Sequence, residues 1–196
     1  VDRGGPPESS AIVTRGRIKV DAMKAIAKLR DHMLVDGHLY ATEIARVAVA
    51  RGATTLCVEH DTDDVVLTFD GRPLDPAAVA RVRDHVLGPE LDGDGVALHL
   101  LGVGVSAALG LAPAVVDVYV GEGQRCARVR FEPKHVDGDE QTAAPDVERL
   151  DRPARSPGLP SPWMRVHVRR RLAFGLLGQA LRGAEPKEVS LLLDAT

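Results

Sequence analysis

The stretch Val96 to Ala112, VALHLLGVGVSAALGLA, constrains this chain more than any other part of it: only His99 and Ser106 interrupt a run of small and apolar residues. Such a segment has no face to give to water, so it must lie inside, covered by other elements. It is read as a buried loop followed by a helix. At 196 residues the chain is long enough to build one well-buried core around it. Because aromatic residues make up only 3% of the sequence, that core has to be aliphatic, and no row of rings is available to stack bases.

The covering elements can be read from period and punctuation. Residues 1–14 open with VDRGGPPESS and are expected to be disordered. Order is expected to begin at AIVTRGRIKV, where Ile18 and Val20 alternate as in an edge strand. Asp21 then caps a helix with Met23, Ile26, Ala27 and Met33 at helical spacing, closed by Gly37. A second helix is predicted from about Ala41 to Arg51, with Ile44, Val47, Ala48 and Arg51 on related faces and Gly52 at its C-terminal cap. TTLCVEH and DVVLTFD read as an antiparallel hairpin. Asp75-Pro76 starts a helix that is expected to run to about Leu87. After the buried segment, AVVDVYVG and RCARVRFE form a second strand pair.

From Lys134 to Pro162 the composition turns to Pro, Asp, Glu, Arg and Gly, which reads as a flexible insertion. WMRVHVRRR alternates as a half-exposed strand does. The tail, residues 172–196, reads as a helix, AFGLLGQALRG, and a last strand, EVSLLLD. This order of elements fits an α+β two-layer sandwich, a mostly antiparallel sheet with helices on one face. The domain is placed at residues 15–171.

Several function classes drop out. A formal charge of -3 and a pI near 6.2 give no basic field, so nucleic acid is not the expected partner, and VRRRL (Val168 to Leu172) reads as a charged strand end. Cys57 and Cys126 sit far apart in strand-like runs and imply neither a disulfide framework nor a metal cluster. His32 and His38 lack the spacing of a helical metal pair, and GVGVSAALG is no nucleophile elbow. No apolar run approaches the roughly 20 residues of a membrane span, and the start carries no signal pattern, so a cytoplasmic protein is expected. Val1 in place of methionine marks the chain as a processed product or a segment of something longer.

Taken together, IKVDAMKAIAKLRDHMLVDGHLYATEIARVAVARGAT, VVLTFDGRPLD and LLGVGVSAALGLAPAVVDVYV resemble, in order and spacing, the GHKL (Bergerat-type) ATPase domain. That domain is shared by the ninety-kilodalton heat-shock chaperones, the MutL mismatch-repair proteins and type II topoisomerases. The resemblance covers roughly Ile18 to Val120, with Met164 to Arg169 as a later strand. It implies that Glu43 stands where the family keeps the acid that orients the attacking water. Asp70 and Gly71 then fall in the adenine turn, and Gly102 and Gly104 in the phosphate loop.

The departures from that family are specific. One turn after Glu43, where the family holds magnesium with an amide, this chain has Val47, which offers no ligand oxygen. Phe69 takes the place of the adenine-binding aspartate, and a shift to Asp70 would break the strand's alternation. Pro73 replaces a glycine, His99-Leu100-Leu101 replace Gly-Gln-Phe, and Trp163-Met164 replace Gly-Thr. The resulting expectation is a chaperone-like ATPase fold with an eroded nucleotide pocket, no cofactor, and work done through a protein partner or self-association as a scaffold or regulatory subunit. In this reading Glu43 is a vestigial base, a surface charge near a helix N-terminus. The alternative is a working ATPase that binds ATP and Mg through Asp70, Gly71, Gly102 and Gly104, with Glu43 as general base.

Overall fold

The computed structural model describes residues 36–61, 63–87, 93–133, 145–150, 159–171 and 187–194. The N-terminal segment, the first expected strand and helix, and the helix expected at Ala173–Gly183 lie outside these residues.

Alternation along the strands builds the sheet. Strand β1 (Leu56–His60) pairs antiparallel with β2 (Asp64–Asp70), and β3 (Val115–Glu122) with β4 (Arg125–Phe131), as the two hairpins anticipated from local sequence. Strand β5 (Val147–Leu150) adds to β4, and β6 (Trp163–Arg169) inserts between β2 and β3, giving the order β1-β2-β6-β3-β4-β5 with every pairing antiparallel. Register then makes one apolar face. Val65, Leu67 and Phe69 lie opposite Val168, Val166 and Met164, which lie opposite Val116, Val118 and Val120, and next to these come Phe131, Val129 and Ala127. All twelve are buried.

The helices cover that face. Helix α1 (Tyr40–Ala50) follows a short 3-10 turn at Gly37–Leu39; it presses Tyr40, Ala41, Ile44, Val47 and Ala48 inward and packs on the long helix α4 (Gly95–Gly110) and on β2. Between them in sequence come α2 (Pro76–Ala80), capped by the Asp75 carboxylate on the Ala77 amide, and α3 (Asp84–Leu87). Helix α4 has α1 on one side, α3 on another and β3 beneath, which is the physical reason its sequence is apolar all round. A last helix, α5 (Lys187–Asp194), lies against α1 and the 3-10 turn. An α+β architecture with an antiparallel sheet is therefore what the chain forms.

Four expectations need correction. The helix predicted from Pro76 to Leu87 is broken at residues 81–83, where amides bond three residues back instead of four (Asp84 N to Arg81 O, His85 N to Val82 O) and the chain turns toward α4. The Gly102 region is not a loop but the interior of a continuous α4. The supposed insertion contains β5, whose Val147, Glu148 and Arg149 are all exposed and give no alternation signal because it is an edge strand. And EVSLLLD is helical: Glu188, Leu191 and Leu192 turn to the protein at helical spacing, a pattern that the dense leucines concealed.

Candidate functional site

Helix α1 brings Glu43 and Val47 to the same inner side, one turn apart. Glu43 is 9% exposed and bonds Arg46 Nη1 through both carboxylate oxygens, at 2.9 and 3.1 Å. It is thus not the solvated surface charge that its place near a helix N-terminus suggested; it is a mostly buried carboxylate with a partner on its own helix. Val47 is fully buried in the same apolar cluster as Phe69, Ile44 and Leu101. Burial of side chains of this size stabilises by about 1.5–3 kcal/mol each.

Asp70 closes β2 on the opposite parity from Phe69, so the alternation that turns Phe69 toward the helices takes Asp70 away from them. Its carboxylate is occupied. Oδ1 accepts from the amides of Thr54 and Thr55 at 2.7 and 2.8 Å, and Oδ2 accepts from the Thr54 hydroxyl at 2.5 Å. The Thr54 hydroxyl, helped by the Thr55 and Thr54 amides and opposed by burial, holds this carboxyl below the usual carboxylate range. Gly71 follows at φ +104, with its Cα so close to the Arg51 carbonyl and to Ala53 that any Cβ would meet backbone within 2.8 Å. Glycine is required there by both conformation and space.

Sequence reasoning missed the residue that ties these pieces together. Arg51, at the end of α1, is 4% exposed; its Nε donates to the Arg72 carbonyl at 2.8 Å, one Nη to the Pro73 carbonyl at 3.0 Å, and the other to the Asp94 carboxylate. The planar fork thus joins the end of α1, the turn after β2 and the residue that precedes α4. The sequence put Arg51 on a face related to that of Ile44, Val47 and Ala48 but gave no sign of its partners, which are distant along the chain.

Gly102 and Gly104 sit inside α4. A Cβ on Gly102 would lie 2.7 Å from the Val82 carbonyl oxygen and 2.8 Å from Val86 Cγ2, whereas one on Gly104 would lie 2.8 Å from Ile44 Cδ1. The two glycines let α3 and α1 approach α4 from two sides. Amides in a helix interior are bonded four residues back, so here they are not presented to an anion as those of a helix N-terminus are. As arranged, residues 43, 47, 69, 70, 102 and 104 supply no oxygen at residue 47 for a metal, and Asp70 has donors of its own chain on both carboxylate oxygens.

Elsewhere among the described residues, no three His, Cys, Asp or Glu side chains converge as a metal set, and no helix is long and apolar enough to cross a membrane.

No protein-family model matches the sequence, and no curated protein does. Among solved structures the chain is similar to the B subunit of DNA gyrase from Myxococcus xanthus, at 15% identity and TM-score 0.49, over 79% of this chain and 40% of that one. It is similar to the ATP-binding domain of topoisomerase IV from Francisella tularensis, at 11% identity and TM-score 0.49, over 88% and 82%. A third is the 43K ATPase domain of gyrase B from Thermus thermophilus, at 16% and 0.49, over 87% and 44%. The chain spans less than half the length of the two gyrase structures. At such identities and scores, function has to be read from the residues.

Proposed function

We propose that this chain is a GHKL-type ATPase fold, of the kind found in the heat-shock chaperones, whose nucleotide pocket is eroded and which acts through protein contacts as a scaffold or regulatory subunit. The observation that carries the reading is the pair Val47 and Phe69. At the two positions where the resembled family needs a magnesium ligand and an adenine acceptor, this chain has side chains fully buried in one apolar core. The occupied Asp70 carboxylate and the helical setting of Gly102 and Gly104 support it further. Isothermal titration with Mg-ATP and with ADP tests it: no heat of binding at millimolar nucleotide is the expected result. Micromolar binding, with turnover abolished by Glu43→Ala, would overturn it.

One observation favours the alternative of a working ATPase. A carboxylate only 9% exposed on the inner side of α1 is an unusual place for a charge without a task. In that reading Glu43 is the base, and ATP with Mg is held by Asp70, Gly71, Gly102 and Gly104 after rearrangement. Nucleotide at a hundredfold excess over its dissociation constant then stabilises the protein by about 2.7 kcal/mol. A melting temperature unmoved by ATP, ADP or their magnesium complexes eliminates it.

A further inference from the structure

Helix α5 is held differently from every other long element of the fold. Among its described residues only Glu188 is buried; Leu192 packs partly against the core, Val189 and Leu191 are half-buried, and Leu193 is 65% exposed. Two ion pairs hold it as well, both in the first turn. Both Glu188 oxygens accept from Arg170 at 2.6 Å, just past the end of β6, and Lys187 pairs with Asp36, the residue that caps the 3-10 turn.

Beneath this turn lies Tyr40, the first residue of α1. It is fully buried, with the charges of Glu188 and Arg170 both acting on its hydroxyl. Burial, reinforced by the Glu188 charge, pushes the phenol well above its ordinary range.

We infer that α5 is a latch on the start of α1: a helix that is kept closed by the Glu188–Arg170 pair and opens as a unit while the sheet and α4 stay folded. The physical basis is the contrast between a small apolar contribution and an ion pair whose carboxylate is buried while Arg170 is 36% exposed. Closed, the buried Glu188 carboxylate depends on Arg170 for its compensation, and neutralising Glu188 removes the charge that draws α5 to the end of β6, so the closed state depends on this one contact. An element with few buried apolar contacts opens at lower free energy than the core does. Opening uncovers Tyr40 and the cation of Arg170, and it loosens the turn that leads to Glu43. The inference does not depend on whether nucleotide binds.

Hydrogen exchange read by mass spectrometry on the full chain tests it, comparing wild type, Glu188→Gln, and the exchanged pair Arg170→Glu with Glu188→Arg. In the wild type, amides of residues 187–194 should exchange faster than those of β2, β3 and β6. Glu188→Gln should speed exchange in α5 at least about tenfold and extend it to the first turn of α1, with the sheet unchanged; the exchanged pair should slow it again. If α5 exchanges in step with the sheet in the wild type, or if Glu188→Gln accelerates the sheet equally, α5 is an integral part of the core and the latch is wrong.

Discussion

The Thr54 hydroxyl donates to Asp70 Oδ2 at 2.5 Å while the Thr54 amide donates to Oδ1 of the same carboxylate at 2.7 Å, so one threonine fastens the entry of β1 to the exit of β2. Thr54→Val, which keeps the shape and removes the hydroxyl, should cost about 1–2 kcal/mol in urea denaturation.

The same carboxylate sets an acid limb. Its pKa is lowered in the folded state, so the stability it contributes is fully present above the unfolded value, near pH 4, and is lost as pH falls through the lower folded value. The wild-type denaturation midpoint should therefore decline as the pH drops below about 4. Asp70→Asn should start lower at neutral pH and lose less on acidification, as urea titrations at several pH values would measure.

Gly102 and Gly104 should answer differently to alanine, although both sit in α4. The new methyl on Gly102 meets a backbone carbonyl, Val82 O, which cannot move without displacing residues 81–83; that on Gly104 meets the far end of the Ile44 side chain, which can turn aside. Alanine also gains about 1 kcal/mol of helix propensity. Gly104→Ala is expected near neutral, and Gly102→Ala destabilising by about 1–3 kcal/mol. Thermal melts of the two variants would rank them.

Arg51→Met removes donors from two carbonyls and from Asp94 at once, and should cost about 3 kcal/mol or more. Asp94→Asn should cost less, about 1–2 kcal/mol, because the asparagine keeps an oxygen facing the buried Arg51 guanidinium while its charge is lost. Comparable losses in the two variants would mean that the pair, and not the carbonyl clamp, is what Arg51 supplies.

Val47→Asn tests the eroded pocket from the other direction. It puts the family's amide into a fully buried apolar site and should destabilise by about 2–3 kcal/mol without conferring affinity for Mg-ATP. A stable variant that binds Mg-ATP in calorimetry would show that the space beside α1 is open after all.

The sequence alone determined the elements whose signal is local. The two hairpins follow from alternation between turn residues, α1 from the spacing of Ile44, Val47 and Ala48 before Gly52, and the burial of Val96–Ala112 from its lack of any polar face. It also placed Glu43 and Val47 one turn apart, since that follows from helical period alone. Only the tertiary structure decided the rest, because each remaining feature depends on a partner distant in sequence. Gly102 and Gly104 fall in a phosphate loop only by resemblance, and that Val82 and Ile44 occupy the space a side chain would need there is visible only in the fold. Arg51 is one more residue on a helix face until the Arg72 and Pro73 carbonyls and Asp94 are brought to it. EVSLLLD carries apolar residues dense enough for strand or helix, and its helical form is seen only where Glu188 meets Arg170 and Leu192 meets the core.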